Sequence, residues 1–187
     1  MRLIFLFSLM LISFSSWSYS VGAQQETVSN PALKRTLSVR IFYPSDSQQA
    51  ARLQAASPVF TGFYAIEQAP PAAGQFPLIV LSHGSGGNNS SLAWLAVPLA
   101  AQGVIVIAAG YYIRAQPEIN LGVDRLPLPL LHLPQAGHFD FLPQCQPAPQ
   151  AILAEEGEAF ICETSRVKRA EVHQQTITAV SAFIQRS

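Results

Sequence analysis

Two uncharged apolar runs, residues 76–81 (FPLIVL) and 104–109 (VIVIAA), set the tightest limit on what this chain can fold into. An apolar run of this length, bounded by glycine, reads as a strand buried on both faces, as in a parallel sheet. Between the runs stands Ser82-His83-Gly84-Ser85-Gly86-Gly87-Asn88, followed by a helical stretch to about Gln102. Asn89 or Ser90 can cap that helix, Leu92, Leu95 and Leu99 share one face, and Gly103 suits its stop. Pro98 falls inside the helix and removes a backbone donor there, so a bend or an early break is expected. Strand, turn, helix, strand is a βαβ unit, and its two strands should pair in parallel.

The composition agrees with an α/β domain built on a mostly parallel sheet flanked by helices. Of 187 residues, 49% are hydrophobic and 12% charged, which excludes a disordered chain and suits one domain with a buried sheet. The formal net charge is zero, so no basic surface points to nucleic acid.

Residues 1–23 read as an export signal: Met1-Arg2, an apolar run over residues 3–17, then the small residues of Val21-Gly22-Ala23, which place a cut after Ala23. The apolar run is short for a span of about 20 residues, so no stable membrane span is expected after cleavage. The single domain is then expected over residues 24–187, in the periplasm or outside the cell.

Within it, residues 24–34 read as polar and loose, and residues 36–43 (TLSVRIFY) as a strand with Leu37, Val39 and Ile41 alternating. A short strand is possible near residues 59–64, one or two helical turns over 111–116, and a proline-weakened strand over 126–133. Residues 135–142 read as a loop and 143–161 as irregular. Residues 166–186 read as a closing helix with His173, Ile177, Val180 and Ile184 on one face.

Cys145 and Cys162 are the only cysteines, an even count in a chain read as exported. A disulfide closing a loop of about 18 residues, worth about 3 kcal/mol, is expected; the alternative is two free buried thiols. No other ligand pair has metal-site spacing, and neither metal nor cofactor is expected.

Two motifs could carry chemistry. The loop around His83, Gly84, Ser85 and Gly86 follows a buried strand, where open α/β sheets place their ligands. Its glycines let backbone N–H groups approach a developing oxyanion. The lack of Gly-Lys-Ser/Thr, of a G-x-G-x-x-G pattern and of an acidic residue about twenty residues on argues against a phosphate loop, and the alternative is a tight turn that needs glycines. Ser85 matches a nucleophile elbow only in part, since the first position of G-x-S-x-G is His83. The second motif, Ala136-Gly137-His138-Phe139-Asp140-Phe141-Leu142, presents a histidine on a loop, where a general base must sit to reach a nucleophile. Asp140, two residues on, reads as structural.

The stretch from FPLIVLSHGSGG to VIVIAA, with AGHFDFL, resembles exported dienelactone-hydrolase-like and platelet-activating-factor-acetylhydrolase-like α/β-hydrolases. RTLSVRIFYP resembles the N-terminal strand of the exported branch, and the trailing Cys145, Cys162, Arg169 and His173 its C-terminal part. The resemblance implies hydrolysis of a small-molecule ester or lactone by a Ser/Cys-His-acid mechanism, with His138 as base and the His83–Gly86 loop as oxyanion hole. The departure is equally plain: neither G-x-S-x-G nor G-x-C-x-G occurs, and only 28 residues separate Ala109 from His138. Asp124 is the one acid near the order expected of the triad acid. An internal deletion near residues 109–111 accounts for the missing nucleophile and acid, leaving a truncated hydrolase or a non-catalytic exported remnant or binding module.

Overall fold

A computed structural model of the chain describes residues 18–31, 35–84, 86–110, 131–163 and 168–186. Ser85, Asp124, the helical turns expected over 111–116, most of the strand expected over 126–133 and the deletion junction beyond Gly110 lie outside them.

The strands are β1 (Ser20–Asn30), β2 (Arg35–Ser45), β3 (Arg52–Gln54), β4 (Phe63–Glu67), β5 (Leu78–Ser82) and β6 (Ile105–Ala109). The helices are α1 (Ala93–Ala101), α2 (Gln150–Glu155) and α3 (Arg169–Ile184). The six strands form one sheet in the order β3-β4-β1-β2-β6-β5. The βαβ unit stands as expected, with β5 and β6 parallel and Ile79 opposite Val106.

The sheet as a whole corrects the mostly parallel expectation. Only β1–β4 and β5–β6 are parallel, whereas β1–β2, β2–β6 and β3–β4 are antiparallel. The reason is the hairpin: β1 and β2 are adjacent in sequence and pair over eleven positions, from Ser20 opposite Ser45 to Asn30 opposite Arg35.

Over residues 24–30 that hairpin overturns the loose segment expected over 24–34, and it starts upstream of residue 24. Val21 and Ala23 are buried core residues. Gly22 lies against the ring of Tyr43 so closely that an added Cβ would sit 2.3 Å from it. The small residues Gly22 and Ala23, read above as part of a cleavage signature, pack against β2 and β4. Tyr19 belongs to the same structure: its N–H donates to the Ala101 carbonyl (2.9 Å) and its ring meets Phe76 edge-on.

One face of the sheet carries the main core. Phe42, Val106 and Ile79 stand in register on it, and Ala93, Leu95, Ala96, Leu99 and Ala100 of α1 pack over them. Ile177, Val180 and Ile184 of α3 close over the same cluster, as their spacing along the closing helix predicts. α1 starts at Ala93, after turns at 89–92, and runs through Pro98 to Ala101 without the expected early break.

β5 is not buried on both faces as expected. It is the edge of the sheet among the described residues, and Leu78 and Val80 are exposed at 55% and 65%. Residues 131–133 form no strand, the irregular 143–161 stretch contains α2, and no helix among the described residues is long and apolar enough to cross a membrane.

Candidate functional site

The loop after β5 is built as a tight turn. The Gly87 N–H donates to the Gly84 carbonyl (3.2 Å), and Gly86 adopts a left-handed φ of 76°. His83 folds back so that its Nδ1 lies 2.7 Å from the Gly84 carbonyl, and Gly87 lies so close to this ring that any side chain there would collide with it. Built Cβ atoms on Gly84 and Gly86 would meet nothing within 4 Å, so these two positions open onto space beyond the end of β5. Asn88 then accepts from the Ser90 N–H, and Asn89 reaches Gln25 and Ser38 of the hairpin.

The Gly-His segment, expected as a loop, is a 3-10 turn over His138–Phe141. Asp140 has the structural role its position suggests: its Oδ2 accepts from the Gly137 N–H (2.8 Å), and the residue is 1% exposed. His138 itself is exposed, with its ring edge-on to Phe139 at 5.1 Å.

Two helices hold this turn in place. Trp94, in the first turn of α1, donates its indole N–H to the Phe141 carbonyl (2.9 Å). The His173 ring of α3 lies flat on that indole, and the Gln144 amide lies 3.2 Å from His173 Nδ1. Burial lowers the pKa of His173 to about 4, although the Leu142 and Asp140 carbonyls and the Asp140 charge pull the other way. The ring is therefore neutral at ordinary pH and acts as packing.

Arg169, one helical turn before His173, is also buried. It donates to the carbonyls of Pro143 and Ile161 and to Cys145 Sγ. Burial lowers its pKa, while the Asp140 carboxylate raises it. Cys145 and Cys162 form the expected disulfide, with Cα atoms 6.1 Å apart. Arg169 thus clasps both ends of the disulfide loop beneath the His138 turn.

Both expected motifs are tied to the start of α1. The His83–Gly87 loop leads from the C-terminal end of β5 into the start of α1, and Trp94 at that start anchors the His138 turn. Sequence reading missed Trp94 and the burial of Arg169, whose charge the Asp140 carboxylate favours. The available signal was the spacing of Arg169 and His173, four apart on the apolar face of the closing helix.

The fold defines an α/β protein with a mixed sheet, and the candidate site lies on the loop after the first strand of its βαβ unit. No protein-family model matches the chain, and no curated protein matches it. Among solved structures, the chain is similar to the ferulic acid esterase from Streptomyces cinnamoneus, with 27% identity and a TM-score of 0.43 over 50% of this chain and 34% of that one. It thus spans about a third of that enzyme's length.

Proposed function

We propose that this chain is an exported, truncated member of an ester- or lactone-hydrolysing α/β lineage, retaining the oxyanion-type loop and the histidine turn but lacking the nucleophile and its acid. The observation that carries the reading is the Trp94–Phe141 hydrogen bond, which anchors the His138 turn to the helix that the His83–Gly87 loop enters. A hydrolase of this type needs both within reach of one substrate carbonyl. The nucleophile attacks the carbonyl carbon, His138 takes the nucleophile's proton and passes it to the leaving alkoxide, and N–H groups near Gly84 to Gly86 hold the oxyanion.

With no G-x-S-x-G or G-x-C-x-G anywhere in the chain, the first of these steps has no dedicated atom. Removing a triad nucleophile leaves only residual catalysis, so the chain is a poor catalyst or a binder of small esters and lactones. The acid and the nucleophile were lost together at a junction near residues 109–111.

A fluorophosphonate probe tests the claim. The expected result is no stoichiometric labelling of the purified chain. Labelling that disappears in Ser85→Ala overturns it by showing that Ser85 is a working nucleophile. Genomic DNA is expected to encode Tyr111 directly after Gly110; an in-frame segment encoding G-x-S-x-G between them overturns the claim by showing a mis-joined but complete hydrolase.

A further inference from the structure

Phe160 is a large apolar side chain left 46% exposed, and it contributes nothing to the main core cluster. Its position gives it a different role. It sits in the short 3-10 turn Ala159–Ile161, at the end of the loop that the disulfide closes. Its ring lies 5.1 Å from the ring of Phe139, tilted by 51°. Phe139 in turn lies 5.1 Å from the imidazole of His138, with the planes 88° apart. The two contacts form a row of rings running from the disulfide loop to His138.

The far end of that row is fastened. Arg169 donates to the carbonyl of Ile161, the residue next to Phe160, and to Cys145 Sγ and the Pro143 carbonyl on the other side of the disulfide. The near end is exposed and has no such fastening: His138 is the first residue of its 3-10 turn, and Asp140 caps the backbone of Gly137 rather than the imidazole. An exposed histidine with no rigid neighbour samples several rotamers. A ring packed against the Phe139 ring restricts them, because aromatic pairs hold preferred geometries and Phe139 is the aromatic neighbour of His138 among the described residues.

We infer that Phe160 is a positioning residue for His138, acting through Phe139, and that the disulfide loop serves as the buttress that carries it. The catalytic meaning of this placement rests on the reading of His138 as the hydrolase base. The placement itself does not need turnover to be tested.

The test is the imidazole spectrum of the full chain by proton NMR, with the His138 signal assigned through His138→Gln and exposed His132 as internal control. In Phe160→Ala, the His138 Hε1 resonance is expected to lose its ring-current displacement and move toward the position of His132, while His132 stays in place. Phe160→Tyr, which keeps the ring, is expected to restore it. Phe160→Leu serves as a second variant that keeps apolar bulk without a ring, and is expected to resemble Phe160→Ala. An unmoved His138 signal in the alanine and leucine variants overturns the inference. So does a shift of His132 and His138 together, which reports general loosening. The fluorophosphonate result is independent: labelling of Ser85 would refute the missing nucleophile and leave Phe160 untouched.

Discussion

The imidazole of His173 lies on the indole of Trp94 with ring centroids 3.7 Å apart and planes 9° from parallel. This stack joins α3 to α1 and sits directly under the His138 turn, which makes the turn sensitive to the charge of a residue that never reaches the surface.

Acid is expected to loosen the domain through His173. Its ordinary pKa is 6.5 and burial holds it at about 4 in the folded chain. Between these values the unfolded chain takes up a proton that the folded chain resists. Stability is therefore full above pH 6.5 and is lost as pH falls toward 4, by up to about 3 kcal/mol. Thermal melts across that range should show the decline, and His173→Phe, which keeps the stack, should flatten it. An equal decline in the variant would assign the effect to other groups.

Trp94→Phe preserves a ring beneath His173 and deletes the donor to the Phe141 carbonyl, together with part of the stacked indole. The expected cost is about 1 kcal/mol. Amide exchange in residues 138–141 should accelerate more than exchange in β6. Uniform acceleration would mean the bond does not anchor the turn.

The disulfide spans a sequence separation of 17. Replacing both Cys145 and Cys162 with alanine is expected to lower unfolding stability by about 3 kcal/mol through loop entropy in the unfolded chain. Denaturant titration measures it; no change would show that Arg169 alone holds the loop.

Processing of the N-terminus should occur before Tyr19 rather than after Ala23. A cut after Ala23 would delete Val21 and Ala23 from the core and remove both β1–β4 pairs, Gly22 with Ile66 and Ala23 with Glu67. Mass spectrometry of the exported chain reads the terminus directly, and a mature start at Gln24 would refute this placement.

Val80→Lys is expected to leave the melting temperature nearly unchanged and to reduce self-association, read by light scattering. Val80 is 65% exposed on an uncharged edge strand, the kind of edge that other chains can extend. Unaltered scattering would show that this edge is not the sticky one.

What could be read from the sequence, and what could not, follows from the range of the interactions involved. Residues 76–81 and 104–109 announced a parallel pair because each run carries its own burial signal, and the Cys145–Cys162 bridge followed from two cysteines alone. β1 was hidden because Gln24, Gln25 and Glu26 look like loop, and because Gly22 and Ala23 are small for a reason that only Tyr43 and β4 reveal. The exposure of β5 was masked by its own apolarity, since its sequence looks the same whether or not a neighbour follows. At the site, Gly137-His138 stood out locally. Its supports did not, because Trp94, Phe160 and Arg169 lie between 22 and 44 residues away and meet it only after α1 and α3 have packed.

The order β3-β4-β1-β2-β6-β5 also gives the sheet a seam. Four strands come from residues before 68 and two from residues after 77, and the halves meet only where Val39, Arg40, Ile41 and Phe42 face Ala109, Ala108, Ile107 and Val106. Strand partners within each half lie at most 44 residues apart in sequence, from 66 − 22, whereas those across this ladder lie from 106 − 42 = 64 to 109 − 39 = 70 apart, so it closes the longest loop. It is therefore the last part of the sheet to zip during folding and the first to part under strain. Native-state exchange should register the hairpin and the βαβ unit as two cooperative units.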